Sequence, residues 1–238
     1  MATFIHPGTK FGFEKIFGQE AHKRILIEFL NAVLEGDYNI GNITYQNTSV
    51  ISGPEAEQRV IHNVFCSQDD GAPIIFEWQN KDLIPAFINR VIYFQSCAIC
   101  AQEATLDFWK NIPIFVYILD FVQKDLGNRL RIDAGLRPKV IHGDPQSLSE
   151  IQKKGRVEGE LERMIFLQMP EFQKSQEECI TALDRWMYIL KNMETLSEIP
   201  WANENEVFSE LARVARLDNL TPEEREMYEK SYEVFRNI

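Results

Sequence analysis

The run "PIFVYILDFV", residues 113 to 122, carries a single charged side chain, Asp120, among ten residues. It is far shorter than the roughly 20 apolar residues of a membrane-crossing helix, and proline bounds it, so it predicts a strand buried on both faces. Strands of that kind occur in sheets covered above and below. The remaining chain therefore has to supply further strands and helices that pack on them.

Two more apolar segments predict strands, "RVIHNVFC" at 59 to 66 and "PIIFEWQ" at 73 to 79, separated by "SQDDGA". The Asp70-Gly71 pair in that connector is a hairpin signal. Strand side chains alternate faces, so Asn63, Glu77 and Gln79 share one face if pairing sets odd against odd. Val60, His62, Val64, Ile74, Phe76 and Trp78 then take the other. "NIGNITYQNTSVI" predicts a first strand around residues 42 to 51, and "ERMIFLQMPEF" one more ending at Pro170.

Apolar residues at helical spacing predict a short and then a longer helix between Phe11 and Leu34, interrupted by Gly18 and closed by Gly36. The same spacing recurs from 85 to 103, where Phe87, Val91, Phe94, Ala98 and Ala101 form a stripe facing the sheet. A helix is predicted over 176 to 196, with Ile180, Leu183, Trp186, Met187 and Leu190 on one side and Ser175 as its cap. Two more follow, over about 204 to 217 and 222 to 236; the second is capped by Thr221, with Pro222 first and Glu223 and Glu224 complementing the dipole. Residues 123 to 160 have weak periodicity and predict a long loop. The fold class is α/β or α+β, with a core over 1–172 and a helical segment over 173–238 on or beside it.

A chain of 238 residues that is 45% hydrophobic can bury a sizeable core. Its net charge of -11 argues against a broad polyanion-binding surface and leaves room only for a local basic patch. The four cysteines, Cys66, Cys97, Cys100 and Cys179, show no pairing framework, and with no leader peptide the expected compartment is a reducing cytoplasm. No membrane span is predicted.

Few motifs carry chemistry. "CAIC" at 97 to 100 has redox or zinc spacing, but it sits in an apolar helical stretch with no second Cys or His pair near it and reads as structural. The four histidines lack the spacing of a zinc helix, and there is no serine elbow, P-loop or G-x-G-x-x-G. "GRVEGELER" at 155 to 163 reads as a connector, and Trp186-Met187-Tyr188 as core packing of an amphipathic helix. Hydrolysis assisted by a hard cation needs converging oxygen ligands, and the hairpin is the one place that offers them. Of its trio, Glu77 alone is a carboxylate, and the pattern by itself fits an ordinary solvated strand.

Four segments together resemble the Rpn family of recombination-promoting nucleases and transposases, within the PD-(D/E)XK nuclease superfamily. "TKFGFEKIFGQEAHKRILIEFLNAVL" at 9 to 34 is similar to its opening helices, and "RVIHNVFCSQDDGAPIIFEWQ" at 59 to 79 to its active-site hairpin. "NRVIYFQSCAICAQ" at 89 to 102 is similar to the helix that comes next, and "FLQMPEFQKSQEECITALDRWMYILKNMETLSEIP" with "LTPEEREMYEKSYEVFRNI" to its C-terminal part. The resemblance covers most of the chain outside 123 to 160. It implies a restriction-endonuclease-like core, a mixed central sheet flanked by helices, with the active site on the hairpin and first helix.

The resemblance also implies roles. Glu77 matches the acidic metal ligand, Gln79 the residue in the place of the superfamily's lysine, and Arg90 a helix arginine able to grip phosphate. The cofactor would be Mg²⁺ or Mn²⁺, the substrate DNA, and the active form a homodimer that makes two cuts. Two positions depart from the pattern: Asn63 stands where the strand aspartate belongs, and Lys10 where an acid precedes F-G-F. An amide offers a metal an oxygen without the charge. Glu14 on the first helix is a candidate replacement ligand, and Lys81 a candidate migrated lysine. Two functions are thus implied: a metal-dependent DNA endonuclease, or a degenerate pseudonuclease that serves as a DNA-binding or protein-interaction module.

Overall fold

The computed structural model describes residues 2–36, 39–45, 61–68, 73–80, 113–136 and 162–237. Among them are helices α1 (Lys10–Phe17), α2 (Lys23–Leu34), α3 (Ala182–Asn192), α4 (Glu206–Ala215) and α5 (Pro222–Arg236). The strands are β1 (Ile43–Tyr45), β2 (Ile61–Gln68), β3 (Pro73–Gln79), β4 (Ile114–Leu119), β5 (Arg131–Leu136) and β6 (Glu162–Gln168). They form one mixed sheet in the order β1-β2-β3-β4-β6-β5. β1, β2 and β3 run as an antiparallel meander, β3, β4 and β6 are parallel, and β5 closes antiparallel on β6. The helix predicted over 85 to 103, with Cys97 and Cys100, lies outside the described residues.

Alternation along the strands divides the core. Val64, Cys66, Ile74, Phe76, Trp78, Ile114, Val116 and Ile118 face the helical layer, where α1 to α4 bury their apolar sides. Ile75, Phe115, Tyr117, Leu119 and Phe166 build a smaller cluster on the opposite face. Both faces of β4 are therefore covered, as its apolar run predicts. Phe76 is the hub of the larger core: the rings of Phe13, Phe17 and Phe29 each lie 5.1 Å from it. Phe29 then contacts Trp186 at 5.6 Å and Trp186 contacts Phe208 at 5.0 Å, which ties α3 and α4 to the sheet. Such ring pairs contribute roughly 0.5 to 1.5 kcal/mol each beyond area burial.

The F-G-F of α1 has a steric cause. Thr9 caps the helix by accepting from the Gly12 N–H at 3.0 Å, and a Cβ at Gly12 would stand 2.1 Å from the His6 carbonyl oxygen. Only glycine fits there. The helix stops at Gly18, and α2 ends where Glu35 and Gly36 turn left-handed, with φ of 49° and 84°.

Several predicted boundaries are corrected. The helix expected from residue 176 begins at Ala182, capped by Thr181 and not by Ser175. Ser-x-x-Glu at 175–178 and Thr-x-x-Asp at 181–184 are both capping patterns, and only the second closes reciprocally on a helix. Ser175 instead closes a turn with Glu178, and Ile180 is 83% exposed, outside the apolar stripe. The long loop predicted over 123 to 160 contains β5. That edge strand packs Ile132 and Ala134 on the smaller cluster and carries charge at the alternate positions, with ion pairs Arg131 to Asp133 at 2.7 Å, Arg163 to Asp133 at 3.1 Å and Arg131 to Glu35 at 3.1 Å. β6 ends at Gln168 in a single 3₁₀ turn, Met169–Glu171.

Asp184 secures the start of α3. Burial alone would raise its pKa, but hydrogen bonds from Lys174, at 2.7 Å, and from the Thr181 N–H outweigh it and hold the carboxyl below the usual range. Its stabilisation is present above the unfolded carboxylate pKa and is lost as pH falls through the lower folded value. Asp184→Ala should cost about 1 to 3 kcal/mol in urea unfolding at pH 7. The gap to wild type should shrink below about pH 4.

Candidate active site

The antiparallel register sets Asn63 directly opposite Glu77 and Ile61 opposite Gln79. Odd therefore pairs with odd, and Asn63, Glu77 and Gln79 share a face where β2 begins and β3 ends. Residues paired this way hold their Cβ atoms roughly 4.5 to 5.5 Å apart. The neighbours on β4 are Tyr117 beside Glu77 and Leu119 beside Gln79. Glu77 is 2% exposed and Gln79 fully buried, whereas Asn63 is half-buried. Tyr117, stacked on Phe166 at 5.0 Å, walls the site from the β4 side. Its proximity to Glu77 depends on the parallel register of β3 and β4, which no local sequence pattern encodes.

The other sequence-derived candidates lie elsewhere. Lys10 and Glu14 are exposed on α1, and that helix packs Phe13 and Phe17 on Phe76, on the sheet face opposite Glu77 and Gln79. Lys81 and Arg90 fall outside the described residues. Among the described residues, no group of three or more His, Cys, Asp or Glu side chains converges in a form that could hold a metal. Asn63, Glu77 and Gln79 share a face and offer oxygens of the kind a hard divalent cation takes. Glu77 is the one carboxylate of the three.

One further polar group stands at the end of this strand pair. Asp120, just past β4, donates its N–H to the Gln79 carbonyl at 3.0 Å, and its Oδ2 accepts from Trp78 Nε1 at 2.9 Å. It was visible in the sequence only as the one charge in an apolar run. Burial pushes its carboxyl up to about 6, against the lowering effect of the Trp78 hydrogen bond.

The antiparallel three-strand meander that continues into parallel strands under a helical layer is a mixed-sheet α/β fold, with Glu77 and Gln79 two residues apart on β3. The sequence profile of the PD-(D/E)XK nuclease family transposases matches residues 7–237. The chain belongs to that family. No curated protein and no solved structure gives a match. No described helix is long and apolar enough to cross a membrane.

A raised carboxyl pKa makes folding less favourable as pH climbs, because the unfolded chain ionises first. The penalty of Asp120 accumulates between the ordinary aspartate value and about 6, then stays constant. Asp120→Asn keeps an oxygen for Trp78 and removes the ionisation. Thermal melts should show the variant more stable than wild type at pH 8, by roughly 1 to 3 kcal/mol, and equal to it near pH 4.

Proposed function

We propose that this protein binds DNA and hydrolyses its phosphodiester bonds slowly at the β2–β3 hairpin, with Mg²⁺ or Mn²⁺ as cofactor and a homodimer as the active form. The observation that carries this reading is the register of Asn63 against Glu77, with Gln79 on the same face. Glu77 and Asn63 would hold the cation through a carboxylate and an amide oxygen. When bound, such an ion polarises a phosphoryl oxygen and lowers the pKa of water. The Gln79 amide, which can donate and accept, orients the attacking water without taking its proton. Tyr117 and Leu119 keep bulk solvent away from the β4 side of the site. Lys81 and Arg90 are proposed phosphate contacts that hold the strand in register.

A second reading, a pseudonuclease that binds DNA or protein without cutting, is favoured by the amide at position 63 and by the absence of a carboxylate cluster among the described residues. Plasmid nicking combined with Mn²⁺ calorimetry separates the two. On the first reading the wild type nicks in Mg²⁺ or Mn²⁺, Glu77→Gln abolishes nicking, and Asn63→Asp increases both metal affinity and rate by about tenfold or more. A wild type that is inert while Asn63→Asp gains both properties supports the second reading. An Asn63→Asp variant unchanged in both removes the hairpin as the site.

A further inference from the structure

The carboxyl ends of the parallel strands β3, β4 and β6 open, on the helical side of the sheet, onto a cavity of about 400 Å³. In α/β sheets ligands enter at the carboxyl ends of strands, and this volume suits a ligand of nucleoside size. It is separate from the hairpin trio: Trp78, which lines it, points away from Glu77 and Gln79 on the same strand.

Its polar groups are Asn80, Asp120, His6 and Lys191, and Asn80 gives an Nδ2–H to the Gly8 carbonyl at 2.8 Å. Asp120 uses Oδ2 for Trp78, and Oδ1 takes no hydrogen bond among the described residues. It is an acceptor facing the cavity. His6 Nδ1 accepts the Gly8 N–H at 3.1 Å, which leaves the ring proton of the neutral tautomer on Nε2 as a donor. Burial lowers the pKa of His6, against a raising effect of Glu194, and so favours that neutral ring. Lys191, exposed at the rim, gives one N–H to the Phe172 carbonyl and keeps two. Phe235 offers a half-exposed aromatic surface beside His6, their ring centroids 4.3 Å apart.

An acceptor within, donors beside it, a flat platform and a cation at the mouth match a planar ring with donors on one edge and acceptors on the next. A polyanion fits poorly, because a carboxylate faces the interior. An aliphatic amine fits poorly too, since Lys191 and the His6 donor would oppose it. Guanine offers N–H donors on one edge and O6 and N7 acceptors on the adjoining one.

We infer that this cavity is a guanine-binding site, in which Asp120 accepts from the base, His6 and Lys191 donate to it, and Phe235 stacks on it. The base comes from a free nucleotide or from single-stranded nucleic acid, and the inference does not depend on cleavage at the hairpin.

Calorimetry of the full chain with GMP, AMP, CMP and UMP tests this, with thermal melts of each variant as a folding control. GMP should saturate a single site with a Kd of about 10 to 500 µM and bind more tightly than the other three. Asp120→Asn should weaken GMP about tenfold or more while melting no lower than wild type, and Phe235→Ala about threefold or more. Competition then assigns the source: displacement of GMP by a G-containing oligonucleotide, and not by its abasic counterpart, points to a nucleic-acid strand, and no displacement to a free nucleotide. Either supports the site. Failure of GMP to saturate below about 5 mM, or equal GMP affinity in wild type and Asp120→Asn, overturns it.

Discussion

The structure depends on β3 being buried along its whole length. It pairs antiparallel with β2 on one side and parallel with β4 on the other, and each of its seven residues is buried. Two of those residues, Glu77 and Gln79, are polar. Burying a carboxylate is costly unless hydrogen bonds or a counter-charge compensate, so Glu77 makes the central strand depend on the groups packed around it. The alternating Ile74, Phe76 and Trp78 offset that cost by anchoring the strand on the helical layer, with Phe76 gathering rings from α1 and α2.

The same strand separates two environments. On one face the hairpin register sets the Asn63 amide opposite the Glu77 carboxylate, so the cation proposed there would meet a single negative charge from the pair. The attraction between a divalent ion and two carboxylates scales with their charge, so an amide in place of one reduces affinity while preserving geometry. On the other face, the ends of β3 and β4 place Asp120 against Trp78 beside a cavity large enough for a small planar ligand. One strand thus places Glu77 and Gln79 on one face and Trp78, held by Asp120, on the other.

Much of this was legible in the sequence because local rules decided it. The doubly buried β4, the odd-face trio and α5 with its Thr-Pro-Glu-Glu start follow from periodicity and capping, and the structure agrees with them. What could not be read depended on distant partners. β5 alternates Ile132 and Ala134, packed on the smaller cluster, with Arg131 and Asp133, whose ion pairs run to Arg163 and Glu35, and those partners are distant in sequence. Two capping patterns compete six residues apart before α3, and burial of Asp184 with Lys174 selects the second. Tyr117 beside Glu77 and Asp120 beside Trp78 required the parallel pairing of β3 with β4, which sequence spacing does not encode.

The central claim is that Asn63 and Glu77 together hold a divalent cation on the face of the hairpin. Anomalous scattering from crystals of the full chain soaked in Mn²⁺ tests it most directly. The account predicts a peak within about 2.5 Å of an oxygen of Glu77 and of the Asn63 side chain. Saturating Mn²⁺ that leaves this face empty, or a peak bound only by residues away from it, would contradict the account.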